Sequence, residues 1–175
     1  KKVFGAKYAK VLSSGTSGLY LAIKSLKLKK GFKAIVTANS FIASANCVLM
    51  NGGTVKFCDI NIDNFNICTK DLEKKLKKTK IDLLVAVDLA GNPCDWIKLK
   101  KLSKIYNFKI INDNCHAIGS KYLNKLNYAV KYADIVVQSY HSVKNITTGE
   151  GGSILTDKYK YYSYISKICS HGIEN

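Results

Sequence analysis

Short apolar runs alternate along this chain with stretches whose apolar residues recur every three or four positions. That alternation leaves few folds open. The strand-like runs cover residues 8–13, 33–37, 54–59, 82–87, 109–112, 133–139 and 152–156. Between them lie helical patterns: Leu19, Ala22, Ile23 and Leu26 in the first, then residues 41–50, 71–78, 95–106 and 158–170. Asn51-Gly52-Gly53 stops the second helix, and Gly91-Asn92-Pro93 carries the only proline. Strands too far apart for hairpins, each followed by a helix, predict a three-layer α/β/α domain with a mostly parallel sheet of about seven strands. Trp96, Leu99 and Leu102 are expected to face that sheet.

The chain's 175 residues suit one domain, 1–175, large enough for a real core. No apolar run approaches the roughly 20 residues of a membrane helix, and Lys1-Lys2-Val3-Phe4 opens no secretory signal. A cytoplasmic protein with no membrane partner is expected. With no Met at position 1, the chain is expected to be a fragment. The formal net charge is +16, and every basic residue is a lysine. The lysines are scattered, with no aromatic-interleaved basic stripe and no arginine to read guanine edges, so no nucleic-acid partner is expected. A basic nucleic-acid-binding module remains the alternative from another class, with salt-sensitive duplex binding as its mark. The six cysteines form no C-x-x-C pair, which argues against a metal site, and no disulfide framework is expected.

Ligands of open α/β sheets bind beyond the carboxyl ends of the strands. Three polar clusters fall at such ends: Gly15-Thr16-Ser17, Asp113 to His116, and Ser139 to Lys144. Lys144 is pinned between the run Ile135-Val136-Val137 and the turn Gly149-Glu150-Gly151-Gly152, a setting no surface lysine needs. It reads as the lysine that forms a Schiff base with pyridoxal 5'-phosphate, with Ser139 as a phosphate donor. Thr16 and Ser17 open a helix, where free N–H groups and the helix dipole favour an anion; a plain helix cap explains them equally. Asp113 ends an apolar strand and is expected to be buried, so it needs a strongly donating partner, which a protonated pyridine nitrogen supplies. His116 is placed to reach the ring oxygen. The bland alternatives are a capping aspartate and a structural histidine. Phe41 is a candidate for stacking on the pyridine face or for the core, and His141 for packing or hydrogen bonding.

These stretches resemble the DegT/DnrJ/EryC1/StrS family of sugar-nucleotide aminotransferases. The resemblance runs through Ser14-Gly15-Thr16-Ser17-Gly18, Phe41-Ile42-Ala43-Ser44-Ala45-Asn46, Asp88-Leu89-Ala90-Gly91-Asn92-Pro93-Cys94-Asp95, Asp113-Asn114-Cys115-His116-Ala117, and Ser139 through Gly152. It implies the fold type I (aspartate aminotransferase-like) architecture, with the last strand antiparallel. It gives Lys144, Asp113 and His116 catalytic roles, and makes Thr16, Ser17, Phe41 and Ser139 cofactor contacts beside them. Some members carry histidine in place of the lysine and dehydrate their sugar, so lysine implies transamination. Pro93-Cys94-Asp95 and Thr147-Thr148-Gly149-Glu150-Gly151-Gly152 are most similar to members that aminate C4 of a UDP-linked 4-keto-6-deoxy-N-acetylhexosamine in pseudaminic acid biosynthesis, with L-glutamate as donor. Another fold type I pyridoxal enzyme is the alternative within enzymes. The family's homodimer and length imply that this chain is the large domain alone, lacking an N-terminal segment and a C-terminal small domain, and inactive in isolation.

Overall fold

The computed structural model describes residues 1–173. Its elements, in chain order, are β1 (Tyr8–Leu12), α1 (Gly15–Ser25), β2 (Lys33–Thr37), α2 (Ala43–Met50), β3 (Thr54–Cys58), α3 (Thr69–Lys78), β4 (Leu83–Val87), a 3-10 turn (Leu89–Gly91), α4 (Trp96–Tyr106), β5 (Lys109–Asp113), α5 (Tyr128–Tyr132), β6 (Ile135–Ser139), β7 (Gly152–Thr156) and α6 (Tyr159–Cys169). The seven strands form one sheet in the order β1-β7-β6-β5-β4-β2-β3. β7 runs antiparallel to both β1 and β6, and every other pairing is parallel. The expected sheet is therefore present, including its antiparallel strand at Ile154-Leu155.

Side chains alternate across a strand, and here the alternation separates two cores. Ile110 packs with the α3–α4–α5 side, alongside Ile35, Leu84, Trp96 and Leu99. Its neighbour Ile111 packs with the α1–α2–α6 side, alongside Val36, Val85, Val137 and Ile165. The four central strands read as almost continuous apolar runs because both faces are covered. α3 shows the reverse pattern: only Leu72 and Leu76, four apart, are buried, and its lysines face outward. Among the described residues, no helix is long and apolar enough to cross a membrane.

Two elements differ from expectation. α2 begins at Ala43, so Phe41 lies in the segment ahead of it. No side chain caps this helix, and its first turn is closed instead by Ser44 N–H on the Phe41 carbonyl, 3.1 Å. α5 was not expected at all. Its five residues are too few for a periodicity to show, and it forms by packing Tyr128, Ala129 and Val130 into the core.

Candidate active site

The carboxyl ends of β4, β5 and β6 and the N-terminus of α1 converge on a cavity of about 450 Å³. That lies within the roughly 300–1,000 Å³ of small-molecule sites. Thr16, Phe41, Asp113, His116, Ser139 and Lys144 all line it, together with Gly15, Cys115, His141 and Glu150. Residues as far apart in sequence as Thr16 and Lys144 thus meet in one place. Ser17 is not part of the lining. Its N–H donates to Ser14 Oγ at 3.0 Å, its Oγ accepts from Ser14 N–H at 3.0 Å, and its hydroxyl lies 2.8 Å from the Ser14 carbonyl. Those bonds form a capping box, which commits that hydroxyl to the helix start.

The same cap starts a helix whose first residues, Gly15 and Thr16, line the cavity. At a helix start the first N–H groups have no intrahelical acceptor, and the dipole adds partial positive charge. In α1 these include the amides of Gly15 and Thr16. Gly15 is buried hard against Ser139: a Cβ there would lie 2.8 Å from Ser139 Cβ and 3.0 Å from Cys115 Sγ. Glycine thus lets the helix end and the Ser139 side chain come into close contact on the cavity wall. Gly152, the first residue of β7, abuts the other side of the cap. A Cβ there would lie 2.4 Å from the Ser14 carbonyl carbon and oxygen.

Asp113 is the last residue of β5 and is 5% exposed. Its Oδ2 accepts from Ser44 Oγ at 2.7 Å, and its Oδ1 from Cys115 N–H at 3.3 Å. Among the described residues no lysine or histidine pairs with this carboxylate. Lys144 lies in the loop between β6 and β7. Tyr140 closes the base of that loop: its N–H donates to Gly151 O at 2.8 Å, and its carbonyl accepts from Thr148 N–H at 3.0 Å. Within the loop Lys144 N–H reaches His141 O at 2.9 Å, and His141 Nε2 lies 3.4 Å from Glu150 Oε1. His141 thus shapes the loop through its own hydrogen bonds.

Burial holds the His116 imidazole below its ordinary pKa, and the Lys144 charge adds to the effect, with Asp113 pulling the other way. Burial also pushes up two thiols near the site, Cys47 to about 11 and Cys115 well above its usual range, each helped by the Asp113 charge. Both stay neutral, so neither is an activated nucleophile. Lys144 lines the same cavity from the β6–β7 loop. The sequence assigns no role to Ser44, three residues after Phe41. Its only signal was a buried serine between Ala43 and Ala45, and its partner is 69 residues away.

The model of the DegT/DnrJ/EryC1/StrS aminotransferase family matches residues 1–175. The chain belongs to that family. It is 39% identical over 171 residues to the UDP-4-amino-4,6-dideoxy-N-acetyl-beta-L-altrosamine transaminase of Campylobacter jejuni, covering 97% of this chain and 44% of that protein. Among solved structures, Helicobacter pylori PseC, described as an aminotransferase in the biosynthesis of pseudoaminic acid, matches with a TM-score of 0.92 and 32% identity, over 99% of this chain and 46% of that one. NtdA from Bacillus subtilis, solved with bound cofactor PMP, matches with a TM-score of 0.88 and 31% identity, over 98% and 38%. The chain thus spans less than half the length of the relatives it matches. The sheet of this family member is the fold type I sheet of those aminotransferases.

Proposed function

We propose that residues 1–175 form the cofactor-binding large domain of a pyridoxal phosphate-dependent aminotransferase. In this reading it transfers the amino group of L-glutamate to C4 of a UDP-linked 4-keto-6-deoxy-N-acetylhexosamine. The observation that carries it is the meeting of Lys144, Asp113, Ser139 and the α1 N-terminus in one cavity. The residues fit the cofactor. Gly15 lets a helix start and Ser139 sit side by side on the cavity wall, which suits a phosphate. Asp113 is a buried carboxylate with two neutral donors and no cation, which suits a protonated ring nitrogen.

Bound there, the cofactor supplies an electron sink for the carbon that gains or loses the amino group. The chain's own residues do the rest. Lys144 would hold the cofactor through its side-chain amine and, where that amine is free, would take up and return the proton at the substrate carbon. Asp113 keeps the ring nitrogen protonated, and Ser44 holds its carboxylate in place. Thr16, Ser139 and the amides of the first turn of α1 bind the phosphate; Ser17 contributes its cap rather than its hydroxyl. His116 would contact the ring oxygen, and Phe41 would lie against the ring.

Phe41, Ile42, Leu49 and Met50 are large apolar residues left more than half exposed on α2 and the segment before it. We propose that a second copy covers them in a homodimer, since exposed apolar patches mark association surfaces. Six free thiols fit a reducing compartment, in keeping with a cytoplasmic site of action. The test is amino transfer by the full-length protein carrying this chain. A visible cofactor band and glutamate-dependent amination of the UDP-keto sugar are expected. Absence of a visible band after incubation with pyridoxal phosphate would overturn the reading.

A further inference from the structure

Behind the cavity, on the opposite face of the sheet, lies a carboxylate that the reaction does not touch. Asp88 follows β4 and is fully buried. Its Oδ1 accepts from Cys94 N–H at 2.8 Å and Trp96 Nε1 at 3.0 Å. Its Oδ2 accepts from Asn112 Nδ2 at 3.0 Å, Asn114 Nδ2 at 3.1 Å and the Tyr128 hydroxyl at 2.8 Å. Five donors converge, and the Tyr128 hydroxyl, which accepts from Asn114 Nδ2 at 3.1 Å, gives its own proton to Asp88, a set that suits an ionised carboxylate. Burial pushes the Asp88 carboxyl up from its ordinary value, and the Cys94, Asn112, Tyr128 and Asn114 donors oppose that push.

The two asparagines are the residues on either side of Asp113. Alternation along β5 points Asp113 into the cavity and turns its neighbours to the far face. There both amides bond the same oxygen of Asp88. The Asp88 N–H also donates to the Asp113 carbonyl at 3.2 Å. Asn112 keeps its Nδ2 on Asp88 although its Oδ1 has no partner, so an acceptor-only group sets that amide's orientation. The network runs on. Gln138 Nε2 donates to Asn114 Oδ1 at 3.3 Å, and Tyr140, at the base of the lysine loop, donates to Gln138 Oε1 at 3.3 Å and sits 2.7 Å from Ser153 Oγ.

We propose that Asp88 is a positioning residue for the reaction: from behind the sheet it clamps Asn112 and Asn114, and so fixes the Asp113 carboxylate relative to the Lys144 loop. Nothing in Asp88 reaches the cavity, and its effect passes wholly through its neighbours. The inference rests on the proposed pyridoxal phosphate reading of the cavity.

Asp88→Asn puts an amide N–H₂ where only donors converge, so at least one bond must break. Asn112→Val removes one strap and the orphaned oxygen with it, and leaves four donors on Asp88. Leu72→Val, in the same core but remote from the clamp, reports on stability alone. Three quantities are read in the full-length protein: unfolding temperature without cofactor, the dissociation constant for pyridoxal phosphate, and the single-turnover conversion of bound cofactor by glutamate, split into maximal rate and half-saturation. Asn112→Val is expected to lower the unfolding temperature no more than Leu72→Val does, yet bind cofactor at least threefold more weakly and convert it at least tenfold more slowly with unchanged glutamate half-saturation. Asp88→Asn should exceed it on the last two, and Leu72→Val should lower only the unfolding temperature. Should Asp88→Asn not fold, Asn112→Val decides alone. Wild-type affinity and rate in Asn112→Val would overturn the inference while leaving the pyridoxal reading intact. A wild-type protein that binds no pyridoxal phosphate would overturn both.

Discussion

Gly152→Ala is a one-carbon change outside the cavity that should cripple phosphate binding. The backbone at Gly152 needs no left-handed conformation, so the effect is one of contact alone. The new Cβ would sit 2.4 Å from the Ser14 carbonyl carbon and oxygen and 2.7 Å from Gly15 N, whereas ordinary contact begins at 3.4 Å. All three neighbours are backbone atoms, so no side chain can swing aside. The α1 start and β7 must part by about 1 Å, and overpacking of this kind costs ~1–3 kcal/mol. For a unit of this size that lowers the unfolding temperature by about 2–12 °C. The displaced atoms are the cap and first amide proposed to cradle the phosphate. Losing one hydrogen bond to a charged group costs ~1.5–3 kcal/mol, or roughly 10- to 100-fold in affinity. The assay is titration of the cofactor-free protein with pyridoxal phosphate and, in parallel, with pyridoxal, which lacks the phosphate. The phosphate form should lose far more. Equal losses for both, or wild-type affinity despite a lowered unfolding temperature, would refute the reasoning.

Asp113→Asn should leave the cofactor bound but reduce the maximal rate by orders of magnitude with little change in glutamate half-saturation, because the charge that keeps the ring protonated is gone; steady-state kinetics with an unchanged rate would reduce Asp113 to a cap. His116 gives a pH prediction. Its folded pKa is depressed, so the unfolded chain binds more protons, and stability falls as pH drops through the ordinary histidine value, levelling off below the folded one. Unfolding temperatures between pH 7 and 5 should therefore fall less steeply in His116→Gln than in the wild type, and parallel curves would contradict this.

What the sequence made legible was what depends on local pattern. β7 sits where its apolar run placed it, and Asp113 is buried at the end of its strand. The convergence of Thr16, Asp113, Ser139 and Lys144 followed from one rule about strand ends. What stayed hidden depends on partners distant in sequence. Ser44 matters through a bond to Asp113, and Asp88 through bonds to Asn112 and Asn114, and no spacing advertises either. Ser17 illustrates competition at short range. Next to Thr16 it looked equally available to an anion, but Ser14 lies three residues before it and claims its hydroxyl first. Phe41 looked like the start of a helix because its apolar neighbours continue the pattern, yet it stands ahead of the first turn and two-thirds exposed.

The central claim is that Lys144 is the group that bonds the cofactor, and it can be tested on the lysine itself. The full-length protein is loaded with pyridoxal phosphate, reduced with borohydride to fix the linkage, digested, and mapped by mass spectrometry. The chain offers 28 lysines, so the position of the label is decisive. A pyridoxyl group on Lys144 alone, and none in Lys144→Ala, is the predicted result. A label on Lys104, Lys109 or Lys121 in place of Lys144 would contradict the account.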